Sequence, residues 1–135
     1  MHEPETATRG RVLVVEDSDA NRSLLRSLLQ RRGYVVEAVP NGQAALDAAG
    51  GGFDLVLLDV GLPDINGLEV CRRLRSNPAT ADLKIIMLTG RGHPGDIRDG
   101  LAAGADDFLT KPIAEAELMS RLARASFSTP RPRTS

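Results

Sequence analysis

Apolar residues along this chain gather into short runs that end abruptly in polar or glycine-rich sequence. Val12-Leu13-Val14-Val15 and Leu55-Val56-Leu57-Leu58 are unbroken. Continuous runs of this length, rich in leucine and β-branched residues, read as strands buried on both faces. Leu83-Lys84-Ile85-Ile86-Met87-Leu88 reads the same way, and residues 106–110 form a short last strand. Tyr34-Val35-Val36-Glu37-Ala38-Val39 has a polar break at Glu37 and suits a sheet edge. Between the runs the period becomes helical. Leu24, Leu25, Leu28 and Leu29 mark one face of a helix, with Asp19 as its expected cap and Gly33 as its stop. An alanine-rich helix follows over residues 43–49. Asp64 and Asn66 are candidate caps for a helix through Leu68, Val70, Cys71 and Leu74. A weak helix over residues 97–103 contains Gly100, and Leu118, Leu122 and Ala125 stripe the last one. Five strand–helix pairs predict an α/β fold: a doubly wound five-stranded parallel sheet in the order 2-1-3-4-5, flavodoxin-like, with helices on both faces.

The totals agree with one domain. Of 135 residues only 3% are aromatic, so leucine, valine, isoleucine and alanine must fill the core. Residues 1–10 read as a disordered lead-in, 11–126 as the folded domain and 127–135 as a flexible tail. The 17 basic and 18 acidic residues leave no basic excess, which argues against direct nucleic-acid binding. No apolar run is long enough for a membrane span. Cys71 is the single cysteine, so no internal disulfide is possible and a cytoplasmic setting is expected. Its place in a helical stripe makes it a buried structural thiol. His2 and His93 are isolated and receive no role. Arg121, Arg124, Arg131 and Arg133 read as a solvated basic face and tail.

The strand ends carry the chemistry. Strand 1 runs into Glu16 and Asp17, strand 3 into Asp59, strand 4 into Thr89, and strand 5 into Lys111. In the 2-1-3-4-5 order these side chains converge at the switch point between strands 1 and 3, where open α/β sheets bind ligands. Three carboxylates so close are stable only with a cation or with raised proton affinity. An all-oxygen donor set favours a hard ion, with Mg2+ the best candidate. A carboxylate, a magnesium site, a lysine and a hydroxyl together suit an incoming phosphoryl group. Asp59 is placed to attack phosphorus. Taken singly, Glu16 reads as a solvated strand end, Thr89 as a strand-end hydroxyl and Phe108 as core.

These motifs resemble the response-regulator receiver domain (CheY-like) of two-component signalling. The likeness rests on Val15-Glu16-Asp17, on Leu57-Leu58-Asp59-Val60-Gly61-Leu62-Pro63, on Leu88-Thr89-Gly90 and on Phe108-Leu109-Thr110-Lys111-Pro112. It covers residues 11–125. The resemblance implies that Asp59 is the phosphoacceptor, supplied by a sensor histidine kinase or a histidine phosphotransfer protein. It implies Mg2+ held by Asp17, Glu16, Asp59 and the backbone carbonyl of Gly61. Lys111 would contact the phosphate, and the bond before Pro112 would be cis. Thr89 and Phe108 would be the switch pair. The glycine-rich stretch 90–104, with few side chains to anchor it, is the expected moving part. The surface of helix 4, strand 5 and helix 5 would receive a downstream protein, and a phosphorylation-dependent homodimer is a further expected partner.

Gly61 departs from the family, in which a larger residue is common two positions after the phosphoacceptor. It leaves the phosphate open to water, with Arg91 a candidate shield. The same Gly61 argues against an aspartyl phosphatase, which carries a second acid at that position. Glu16 and Asp17 argue against a flavin module, whose phosphate they would repel. No conventional enzyme is expected, only self-catalysed phosphorylation and dephosphorylation. A single-domain regulator is the expectation. A receiver excised from a longer regulator or hybrid kinase, and a phosphorylation-independent interaction module, stay open.

Overall fold

Alternation within the buried strands sorts the core into two halves. In this computed structural model, which describes residues 9–90 and 94–125, five strands form one parallel sheet in the order β2-β1-β3-β4-β5. They are β1 (Gly10–Val15), β2 (Tyr34–Val39), β3 (Leu55–Asp59), β4 (Lys84–Thr89) and β5 (Asp107–Thr110). The helices are α1 (Asp19–Arg31), α2 (Gly42–Ala48), α3 (Gly67–Ser76), α4 (Pro94–Ala102) and α5 (Glu115–Arg124). On one face Val12, Val14, Leu55, Leu57, Ile86 and Leu88 pack against Leu25, Leu28 and Leu29 of α1 and Leu118 and Leu122 of α5. On the other, Leu13, Val15, Val56, Leu58, Ile85 and Met87 meet Ala45 of α2 and Val70, Cys71 and Leu74 of α3. Adjacent residues of one strand thus serve opposite layers, which is why the strands of this parallel sheet read as unbroken apolar runs.

Several boundaries differ from the sequence expectation. Gly10, placed in the lead-in, begins β1 and pairs with Tyr34, and the Arg9 N–H donates to the Gly33 carbonyl at 2.9 Å. The expected cap of α1, Asp19, is its first helical residue. Ser18 is the cap, its side chain accepting from the Asn21 N–H. Asn66 caps α3. Asp64 instead crosses to α2, where its two carboxylate oxygens accept from the N–H groups of Gly42 and Gln43 at 2.8 and 2.9 Å. Those hydrogen bonds hold its carboxyl below the usual range. Residues 1–8, 91–93 and 126–135, with His2, Arg91, His93, Arg131 and Arg133, lie outside the described residues.

Cys71 is fully buried, and its thiol donates to the Ala103 carbonyl at 3.5 Å. Burial pushes the thiol up, as a structural cysteine requires. Below the sheet, Arg75 bridges three segments. It donates to the carbonyls of Ala81, Leu83 and Gly104 and to Asp106 Oδ2, which also accepts from the Ile85 N–H. Arg75→Met keeps the stem and removes all four bonds. Urea unfolding is expected to show a loss of about 2 kcal/mol, because carbonyls left unpaired cost more than a solvated pair contributes. An unchanged midpoint would contradict that bracing role.

Candidate functional site

The sheet register assembles the site. Val15 pairs with Leu58, Asp59 with Leu88, and Thr89 with Thr110, so the polar residues that follow each apolar run share one edge. That edge is the carboxyl end of the strands, at the point where strand order reverses between β1 and β3. Asp59 is only 6% exposed. Its Oδ1 accepts from the Gly61 N–H at 3.1 Å and its Oδ2 from Lys111 Nζ at 2.9 Å. Lys111 also lies 3.0 Å from Glu16 Oε1. The peptide between Lys111 and Pro112 is cis, and the Lys111 N–H donates to the Thr89 carbonyl at 2.7 Å.

Glu16 is no solvated strand end; it is 1% exposed. The Ser18 N–H orients its Oε2 at 3.1 Å. Its Oε1 is buried without a hydrogen-bond partner, because the Lys111 ammonium approaches as an ion pair outside hydrogen-bonding geometry. Burial raises the Glu16 carboxyl above its ordinary value of 4.5, and the Asp59 charge adds to this; Lys111 and the Ser18 N–H offset only part of it. Burial alone would lower the Lys111 ammonium, but its hydrogen bond to Asp59 and its ion pairs with Asp59 and Glu16 outweigh burial and hold it above its ordinary value.

Glu16, Asp17 and Asp59 each place one carboxylate oxygen within 4.8 Å of the others. A single lysine does not balance three acids, and Glu16 Oε1 has unused acceptor capacity. The donors are all oxygen. The cluster therefore fits a small hard cation such as Mg2+. Gly61 is exposed, and a Cβ built there would meet nothing within 4 Å.

Thr89 is 1% exposed, and its hydroxyl donates to the Leu109 carbonyl at 3.5 Å. Phe108 is half-buried beside the core layer under α3. Arg121, expected on a solvated face, is largely buried. Its Nε donates to the Phe108 carbonyl at 3.1 Å, its guanidinium lies 5.8 Å from the Phe108 ring centre, and it pairs with Asp107 at 3.4 Å. Sequence reasoning missed this, as it missed the contacts of Ser18 in the β1–α1 loop and of Arg22 in the first turn of α1 with Glu16 and Asp17.

A doubly wound sheet with an acidic, lysine-bearing crevice at its switch point defines the flavodoxin-like receiver fold. The family model described as "Response regulator receiver domain" matches residues 12–123, and the chain belongs to that family. It is 45% identical over 124 residues to the transcriptional regulatory protein TcrA of Mycobacterium tuberculosis, a match covering 91% of this chain and 48% of that protein. The chain spans about half the length of the curated relatives it matches. Among solved structures, the chemotaxis response regulator CheY4 of Vibrio cholerae superposes with a TM-score of 0.80 at 34% identity, covering 85% of this chain and 97% of that one. The receiver domain of the sensor histidine kinase PA1611 from Pseudomonas aeruginosa, which has a magnesium ion coordinated in its active-site cleft, superposes with a TM-score of 0.79 at 34% identity. That match covers 85% of this chain and 95% of that one. No helix among the described residues is long and apolar enough to cross a membrane.

Proposed function

We propose that the chain is a phosphorylation-dependent switch of a cytoplasmic two-component pathway. Asp59 accepts a phosphoryl group from a phosphohistidine of a sensor kinase or phosphotransfer protein. The observation that carries this reading is the setting of Asp59. It is a nearly buried carboxylate held by Lys111 and the Gly61 N–H, beside two further acids whose charge calls for a cation. In the transfer, a carboxylate oxygen of Asp59 forms a bond to phosphorus as the phosphorus–nitrogen bond breaks. The departing imidazole keeps that electron pair and takes up a proton. Glu16, Asp17, Asp59 and the Gly61 carbonyl would hold Mg2+, which when bound offsets charge on the phosphoryl oxygens. Lys111 supplies the fixed positive charge on the other side.

The phosphoryl group adds about −1.5 to −2 charges at neutral pH. Thr89 now points at the Leu109 carbonyl. Turning toward the new oxygens would give it a charge-assisted partner and open space for the half-buried Phe108. Moving the active form from 1% to 99% requires a preference of about 5.5 kcal/mol, within reach of several such bonds. The change would reach the face formed by α4, β5 and α5, which presents the exposed Leu101. The signal passes there to a protein partner, which includes a second copy of the chain.

The test is NMR of the labelled chain with Mg2+ and beryllofluoride, an acyl-phosphate mimic. Amide shifts are expected at residues 59 and 89, at 108, and along α4, β5 and α5. Shifts confined to residues 16, 17 and 59 would contradict the switch. Access also sets the lifetime. Because the space beside Gly61 is open, Gly61→Met is expected to slow loss of phosphate severalfold, read as the decay of phosphorylated intact mass. An unchanged decay would remove the access argument.

A further inference from the structure

Arg22 sits in the first turn of α1, where a positive charge opposes the helix dipole. Its partners explain the placement. Nη1 donates to the Glu16 carbonyl at 2.9 Å and to the Asp17 carbonyl at 3.3 Å, while Nη2 pairs with the Asp19 carboxylate. The side chain is largely buried, whereas Asp19 is almost fully exposed. The Glu16 N–H is already held by the Val39 carbonyl at 3.1 Å, and the Ser18 N–H holds the Glu16 carboxylate. Arg22 adds the hold on the carbonyl side of two consecutive residues, both of them members of the acid cluster.

We infer that Arg22 is a positioning residue for cation binding: it fixes the loop backbone from which Glu16 and Asp17 reach the shared oxygen cluster. The inference rests on the magnesium reading above. Glu16 is buried and oriented by Ser18 and Lys111, so the brace matters most for Asp17, which is exposed and follows its backbone. The planar guanidinium lets Nη1 reach both carbonyls while Nη2 is held by Asp19; a lysine ammonium on a flexible stem lacks that second, fixed attachment.

Charge and brace act in opposite directions, which makes the test sharp. Arg22 and Asp19 neutralise each other, so removing Arg22 alone adds net negative charge beside the cluster and favours any cation. The double substitution Arg22→Met with Asp19→Asn removes the brace at constant net charge. Mg2+ is titrated calorimetrically into the native chain and into the double variant, at a temperature where circular dichroism shows both folded. Loss of groups that orient metal ligands weakens affinity by about tenfold or more, and that is the expected rise in Kd. A merely structural role would lower the melting temperature and leave Kd unmoved. Arg22→Lys, the milder replacement, is expected to fall between native and double variant and serves should the double variant not fold. Equal or tighter Mg2+ binding by the variants would overturn the inference. A native chain that takes up no Mg2+ would overturn the magnesium reading, and this inference with it.

Discussion

Gly67→Ala is expected to destabilise the domain by about 3 kcal/mol and to displace the phosphoacceptor strand. Propensity alone forecasts the opposite sign, since alanine is the better helix former. The objection is steric. Gly67 opens α3 directly beneath the end of β3, and its N–H donates to the Val60 carbonyl at 2.8 Å. A Cβ built on it would overlap the Asp59 carbonyl oxygen and lie 2.8 Å from Val60 Cα. Both obstacles are backbone, so no rotamer change relieves them. Either α3 backs away from the core, or the strand end that carries Asp59 moves out of register with Leu88. Overpacking of this kind typically costs 1–3 kcal/mol and occasionally more. Urea unfolding checks the stability, and Mg2+ titration of the folded fraction checks the site. A variant as stable as the native chain would show that this approach of helix to strand is looser than described.

The second large effect is expected from Lys111→Met, which keeps an apolar stem and removes the ammonium between Asp59 and Glu16. One buried and one nearly buried carboxylate then face each other without the cation 2.9 and 3.0 Å away. Breaking a fully buried pair costs about 3–5 kcal/mol. Lys111 is 27% exposed, so about 2 kcal/mol at neutral pH is the expectation. The pH dependence follows from Glu16. Its folded carboxyl is already raised above 4.5 by burial, and removing Lys111 takes away influences that lower it. A group with a raised folded pKa binds more protons folded than unfolded, so stability falls as pH rises past the unfolded value. The deficit of the variant relative to the native chain should therefore shrink below about pH 4.5 and grow as pH rises from there toward neutrality. Added Mg2+ should restore part of the stability at neutral pH. A deficit independent of both pH and Mg2+ would mean that Lys111 acts through packing alone.

Local patterns carried the sheet and the crevice into view. Val12 to Val15 and Leu55 to Leu58 are buried on both faces, so their apolar character is continuous and legible without a partner. Once the strand order follows from five strand–helix pairs, the residues after each run must meet at one edge. That is why the sequence alone groups Glu16, Asp17, Asp59, Thr89 and Lys111. What stayed hidden depends on distance along the chain or on side-chain direction. Asp64 and Asn66 are equivalent caps by residue type, but only tertiary packing brings Asp64 to α2, 22 residues away. Arg121 reads as surface charge on α5 until β5 brings Phe108 and Asp107 beneath it. Ser18 and Asp19 are both good caps, and the choice between them turns on one residue of backbone geometry. The buried Glu16 pairs with Lys111 from 95 residues further on, a relation no local window contains.

The most direct measurement is the intact mass of the chain after incubation with a small phosphodonor and Mg2+, with Asp59→Asn and a chelator as parallel arms. The account predicts one added phosphoryl group on the native chain, and none on the variant or with chelator. Phosphate on Asp59→Asn, or an unmodified native chain under conditions where Mg2+ binding is demonstrated, would contradict it.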